Sequence, residues 1–210
     1  MSRGMWLLFT LIGFLMGGVM FGRILPRCVA HKDVCALSPD HNPGTANVFT
    51  YCGWKLGTLC LLLDMGKGFL PVFTACRLSG GDMTEPMLAV VMLAPVLGHA
   101  LAPFSREKGG KCIACTFGVL LGLLPYSGAA FLLAALYVLF STLLKVKPTR
   151  KRSIVTFSLF GGIALIGAFF NAHFIVGVGC MLISAVVIIK HLPRFEQQLA
   201  EEREKLHSAS

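Results

Sequence analysis

The charged residues of this chain are gathered into a few short clusters, and long apolar runs separate them. That segregation constrains the fold more than any single motif does. A run of roughly 20 apolar residues is long enough to cross a bilayer as a helix. A soluble domain would instead spread its charges along every surface helix. Only 14% of the 210 residues are Asp, Glu, Lys or Arg, against 55% that are hydrophobic, so charge is scarce as well as clustered. The chain reads as an all-α integral membrane protein.

The apolar runs place about seven transmembrane helices, near residues 6–25, 54–75, 86–104, 112–124, 126–145, 153–170 and 172–190. The division within 112–145 follows Pro125-Tyr126-Ser127-Gly128, a turn signal. It leaves a fourth piece of about 13 residues, roughly 20 Å of helix. A hydrocarbon core is about 30 Å thick. The piece is therefore expected to be a short half-helix whose N-terminus starts below the membrane surface. The first run reads as an anchor and not a cleaved signal. It is long, no small-x-small site follows it, and Arg23 and Arg27 stop it. Residues 1–194 form a single membrane-embedded domain in this reading, and 195–210 a charged tail.

Lys and Arg set the orientation. With the N-terminus outside, the inner segments carry 15 of them and the outer segments only Arg3 and Arg77. The C-terminus and the polar loops then face the cytoplasm. The net charge of +9 belongs to these loops. No separate basic domain exists to bind nucleic acid. The eight cysteines do not suggest a disulfide framework. Cys60, Cys76, Cys112, Cys115 and Cys180 lie in or beside apolar runs, where Cys packs as a small hydrophobe. Cys28, Cys35 and Cys52 fall in a loop on the reducing side. The Cys112-x-x-Cys115 pair has no second pair near it, so packing is its expected role. No metal set and no cofactor fingerprint is legible.

Several polar residues are out of place in lipid. Asp64 and Lys67 sit within the second run, three residues apart and so on one helix face. They read either as a self-neutralising ion pair or as two walls of a polar pocket. The loop Arg106-Glu107-Lys108-Gly109-Gly110-Lys111 leads directly into the short fourth helix. Its glycines would let backbone N–H groups converge. The helix adds a positive dipole end, and Lys108 and Lys111 add charge. The result is a phosphate cradle, or else a plain basic turn. The loop from Asp40 to Asn47, which includes Asn42 and Gly44, is rich in polar turn formers, and its Asn side chains offer amide donors. His99 precedes the cradle, and His191 closes the last span.

These pieces in order resemble a known family. Asn42-Pro43-Gly44-Thr45-Ala46-Asn47 comes first. Leu62-Leu63-Asp64-Met65-Gly66-Lys67-Gly68 with Pro71-Val72 follows, then Gly98-His99 with Pro103-Phe104, then Lys108-Gly109-Gly110-Lys111. The series is similar to the bacterial acyl-phosphate:glycerol-3-phosphate acyltransferases and covers about residues 15–125. The resemblance implies a multi-pass enzyme of the bacterial inner membrane with its active face in the cytoplasm. Such an enzyme moves a fatty acyl group from acyl phosphate to glycerol 3-phosphate, giving lysophosphatidic acid for phospholipid synthesis, without a cofactor. His99, Lys108 and Lys111 would then be catalytic. Asn42, Gly44, Asn47, Asp64, Lys67, Gly109, Gly110 and His191 would hold substrate phosphate. The chain departs from the family pattern at five places. Asp40-His41 stand for Ser-Gly, and Thr45-Ala46 invert Ala-Thr. Thr50 stands for Arg, Cys112 for Gly, and Arg194 for Asn.

The chemistry suits the residues. Acyl phosphate is already activated, so the protein has to hold two phosphates and align a hydroxyl with a carbonyl. The His-x-x-x-x-Asp pair of other glycerolipid acyltransferases is absent from the sequence. Two further readings use the same residues. One is an anion transporter or channel built on Asp64, Lys67 and the broken fourth helix, although no internal repeat is visible. The other is a lipid-binding relative that has lost activity.

Overall fold

The computed structural model describes residues 1–105, 108–170 and 173–192. Arg106 and Glu107 of the basic loop, Arg194, and the tail at 195–210 lie outside the described residues. Every regular element within them is helical. In chain order these are α1 (Arg3–Gly18), α2 (Phe21–Val29), α3 (Val34–Leu37), α4 (Thr45–Cys52), α5 (Trp54–Leu78), α6 (Met87–Leu101), α7 (Ile113–Gly122), α8 (Ala129–Val138), α9 (Thr149–Phe170) and α10 (Phe174–His191). A π-helical turn, Leu139–Leu143, extends α8.

By length and composition α5, α9 and α10 can each cross a membrane, and α1 with α2 makes a fourth candidate bent by 42°. The helices α6, α7 and the extended α8 are apolar but shorter. The first span expected from sequence is thus broken at Val19-Met20. Lys67 accounts for the break, because its Nζ donates to the Val19 carbonyl at 2.6 Å. A helix end needs such a donor for its last carbonyls, and a cation suits that end of the dipole. The short fourth helix is as expected: α7 has 10 residues, or about 15 Å of rise.

Small residues let the helices approach closely. A Cβ at Gly17 would collide with the Pro95 carbonyl, and one at Gly98 with the Phe14 carbonyl, so α1 and α6 touch backbone to backbone. Gly68 and Gly118 do the same between α5 and α7, against the carbonyls of Cys115 and Met65. Outward faces are apolar. Leu7 and Leu11 on α1, Leu62 and Leu70 on α5, and Ile166 and Phe169 on α9 are all exposed. A continuous apolar exterior of this kind suits lipid and not water.

Gly98→Val should destabilise the bundle by about 2 kcal/mol or more, since the obstruction is backbone that no rotamer can clear. Gly162→Ala, which meets nothing within 4 Å, should leave stability unchanged. Melting temperatures in detergent compare the two, and equal values would mean that the α1–α6 contact is looser than described.

Candidate active site

The site is organised around a buried ion pair. Asp64 and Lys67 are both almost fully buried on one face of α5, with Lys67 Nζ 2.8 Å from Asp64 Oδ1. The ion-pair reading describes the contact, and the pocket reading applies to one member only: Asp64 lines a cavity while Lys67 stands behind it. Thr45 Oγ1, at the start of α4, donates to Asp64 Oδ2 at 3.2 Å. His99, buried on α6, places Nδ1 3.9 Å from Asp64 Oδ1, too far for a hydrogen bond but close enough to feel the charge.

A second cluster lies on the polar loop before α4. Asn47 Nδ2 donates to Asp40 Oδ1 at 2.9 Å and to the Asn42 carbonyl at 2.8 Å, which closes the loop on itself. Lys111 Nζ, from the far side, reaches Asp40 Oδ2 at 2.7 Å. Burial pushes the Asp40 carboxyl up, but the hydrogen bonds from Lys111 and Asn47 outweigh it and hold it below its ordinary 3.8. Asp40 is therefore a carboxylate at neutral pH, and it neutralises Lys111.

The loop before α7 does not form the cradle in the way the glycines suggested. Neither Gly109 nor Gly110 has a positive φ. Gly110 donates its N–H to the His99 carbonyl at 3.1 Å, so that group is already used. These positions are glycine for want of room. A Cβ at Gly110 would run into the His99 ring, and one at Gly109 into the Ala100 carbonyl. The left-handed residue is Cys112, with φ +67°, where the family pattern has Gly. An L-residue pays roughly 1–2 kcal/mol there. Buried Cys112 directs its thiol to the carbonyls of Val96 and Gly110.

All of this borders one cavity of about 740 Å³. Of the expected residues, Asn42, Gly44, Asn47, Asp64, His99, Lys111 and His191 line it. Lys67 stands behind Asp64, and Gly109 and Gly110 stand behind His99. Lys108 is not among the lining residues; its carbonyl accepts from Arg23 Nη2 at 2.8 Å. Thr50 is also outside, exposed on α4 with Oγ1 bonded to the Ala46 carbonyl.

Sequence reasoning missed the opposite wall. Arg150, Arg152 and Ser153 of α9 and Tyr137 of α8 line the cavity too. Arg150 Nε donates to the His191 carbonyl, and Tyr137 Oη meets Ser153 Oγ at 3.0 Å. The basic segment between the expected spans 126–145 and 153–170 reads from hydropathy as a loop. Pro148-Thr149 ahead of the apolar run was a readable helix start, and it puts both arginines on the first turn of α9.

Three helix N-termini meet at the cavity, those of α4, α7 and α9. Neither Gly44 nor Cys112 supplies a side-chain cap. Free N–H groups and positive dipole ends therefore face the space, an arrangement suited to anions. The other wall is apolar, with Ile113, Ala114 and Phe117 of α7 beside Tyr137.

A family model described as glycerol-3-phosphate acyltransferase matches residues 7–201. The chain belongs to that family. A glycerol-3-phosphate acyltransferase of Thermotoga petrophila is 34% identical over 137 residues, 65% of this chain and 68% of that protein. One from Pseudomonas aeruginosa is 42% identical over 130 residues, 62% of this chain and 65% of its own length. The crystal structure of PlsY, an integral membrane glycerol 3-phosphate acyltransferase, in its glycerol 3-phosphate form, superposes with a TM-score of 0.75 at 25% identity. The match covers 93% of this chain and 92% of that one. Family and fold together make this acyltransferase family member a multi-pass membrane enzyme of phospholipid synthesis, and they set aside the transporter reading.

Asp64→Asn should cost this acyltransferase about 3–5 kcal/mol, because Lys67 would stay buried without its counter-charge. Removing both charges, Asp64→Leu with Lys67→Met, should recover most of that loss. Thermal melts of the three proteins decide it. An Asp64→Asn protein as stable as wild type would show that water reaches the pair.

Proposed function

We propose that this acyltransferase moves a fatty acyl group from acyl phosphate to the 1-hydroxyl of glycerol 3-phosphate at the cytoplasmic face of a bacterial inner membrane. The relatives' names point to the acceptor. The observation that carries the reading is the cavity itself, where three helix N-termini and the cations Lys111, Arg150 and Arg152 surround one space with an apolar wall. Two phosphate-bearing substrates, one with a long chain, need that combination of walls.

The hydroxyl oxygen of the acceptor attacks the acyl carbonyl, the ester C–O bond forms, and the bond from acyl carbon to phosphate oxygen breaks. The hydroxyl proton ends on phosphate, so no strong protein base is required. The protein supplies alignment and positive potential in a site shielded from water. Asn42, Gly44 and Asn47, with the N-terminus of α4, hold phosphate or hydroxyl oxygens. The N-terminus of α7 stabilises charge that develops on the leaving phosphate, and Lys111, tied to Asp40, holds the phosphate of the acceptor. His99 and His191 orient oxygens from the two helix ends at which they sit. Asp64 and Lys67 keep His99 and Thr45 in place.

In the same reading residues 1–194 form one membrane domain with seven spans, the shorter α6, α7 and α8 included, and the N-terminus is outside. The cavity lining supports this orientation. Apart from α5 and α8, its residues come from the segments 40–49, 99–117, 148–153 and 191, at or beside the basic ends of the helices.

Purified protein given palmitoyl phosphate and glycerol 3-phosphate should form lysophosphatidic acid, and no product would sink the reading. Lys111→Ala should slow transfer by about a hundredfold, the cost of losing a preorganised donor. Lys108→Ala should cost far less, since its side chain lies outside the cavity. Equal losses from the two would mean that the loop acts through overall charge alone. For the orientation, single cysteines at Asp82 and Lys147 in a background without native cysteines can be probed on intact cells with an impermeant thiol reagent. Asp82→Cys should react and Lys147→Cys should not; the reverse pattern inverts the topology.

A further inference from the structure

The charges around the cavity are unevenly compensated. Asp40 holds Lys111 at 2.7 Å and Asp64 holds Lys67 at 2.8 Å, so each of those lysines already has a carboxylate. Arg150 and Arg152 have none among the described residues. Arg150 Nη2 and Arg152 Nε are buried atoms with no hydrogen-bond partner. A buried guanidinium N–H without a partner is costly, and a site that keeps two of them is waiting for an acceptor. Both sit on the first turn of α9, whose dipole also favours an anion.

We infer that Arg150 and Arg152 form the binding site for the phosphate of the acyl donor, separate from the Asp40–Lys111 side that takes the acceptor. This rests on the acyl phosphate reading above and assigns the two substrates to opposite walls. The position of the apolar surface decides the assignment. Arg152 adjoins Ser153, Ser153 Oγ meets Tyr137 Oη, and the Tyr137 ring lies 6.1 Å from that of Phe117. The arginine wall therefore continues into the apolar wall of α7 and α8, along which a long acyl chain can lie. The opposite wall is polar, with Asn42, Asn47 and the Asp40 carboxylate, and suits a small acceptor with hydroxyls to donate. Guanidinium groups grip phosphate by paired N–H bonds, which lysine cannot copy. The same anchoring explains why Arg150 Nε is held by the His191 carbonyl: one edge of the fork is fixed by protein while the other stays open.

The test uses palmitoyl phosphonate, a donor mimic that cannot transfer its chain, and calorimetry on the full-length protein in detergent. Arg152→Gln should weaken phosphonate binding by about tenfold or more and leave glycerol 3-phosphate binding unchanged. Arg152→Lys should recover part of the loss, and a melting curve confirms that each variant is folded. With palmitoyl phosphate as substrate, the KM for donor alone should rise. Arg152→Gln protein that keeps wild-type phosphonate affinity, or that loses glycerol 3-phosphate instead, overturns the assignment. So does wild-type protein that fails to bind the phosphonate. Wild-type protein that binds the phosphonate through Arg152 yet makes no lysophosphatidic acid refutes the proposed reaction and leaves the arginine site standing.

Discussion

Lys67 is the point from which the rest of the site is positioned. Its ammonium is buried, and it is tolerable there only because three things face it. Asp64 supplies a counter-charge at 2.8 Å, the Val19 carbonyl accepts at 2.6 Å, and the Phe21 ring lies 5.6 Å away. Each partner belongs to a different piece of the fold. Asp64 is one turn earlier on α5, Val19 ends α1, and Phe21 opens α2. A single desolvated cation thus fixes where the first span breaks. The break turns α2 so that Arg23 can reach the Lys108 carbonyl, and through it the loop before α7. Asp64 carries the constraint the other way, to Thr45 at the head of α4 and to the edge of His99. Breaking a buried pair exposes an uncompensated charge to low dielectric, so this arrangement has no cheap alternative state.

Much of this was legible because apolar runs and misplaced charges are strong signals. The helical segments fall where the runs are. Asp64 and Lys67 do share a face, and Asn42, Asn47, His99, Lys111 and His191 do meet. What could not be read has specific causes. Hydropathy ends a helix where charge begins, so the basic cluster before the sixth run reads as a loop, although Arg150 and Arg152 belong to α9. Gly109 and Gly110 suggest conformational freedom, as any pair of glycines does in sequence. Their real constraint is a collision with His99 and Ala100, a tertiary contact with no local signature. The strained residue is Cys112 beside them, and its only mark in the sequence is that it stands where the family pattern has Gly.

The departure at Asp40 changes the electrostatics of the whole cavity. A neutral Ser at this position, as in the family pattern, would leave Lys111 uncompensated. The carboxylate instead holds Lys111 and Asn47 in fixed places and cancels one positive charge. A phosphate approaching Lys111 must share it with Asp40, which lowers the attraction on that wall. Positive potential then comes mainly from the helix N-termini and from the α9 arginines across the cavity. The loss of Arg at position 50 acts in the same direction, because Thr50 is exposed and bonded to its own helix. Among the described residues that line the cavity, the cations without a carboxylate partner therefore lie on α9 and not on the α4 side.

Depth matters as much as charge. A helix of 10 residues rises about 15 Å, half the thickness of a hydrocarbon core. If α7 ends near the far surface with the Pro125 turn, its N-terminus lies well inside the near leaflet. The dipole end that faces the cavity is then placed below the headgroups, where water screens it less. In the proposed reaction the donor's chain would lie against Ile113, Ala114 and Phe117 while its phosphate reaches toward the basic helix ends. Had α7 been a full span, its N–H groups would sit at the surface in water, where the same dipole is screened. The short helix, the clearest irregularity in the sequence, gives the cavity an uncapped helix N-terminus beside Lys111.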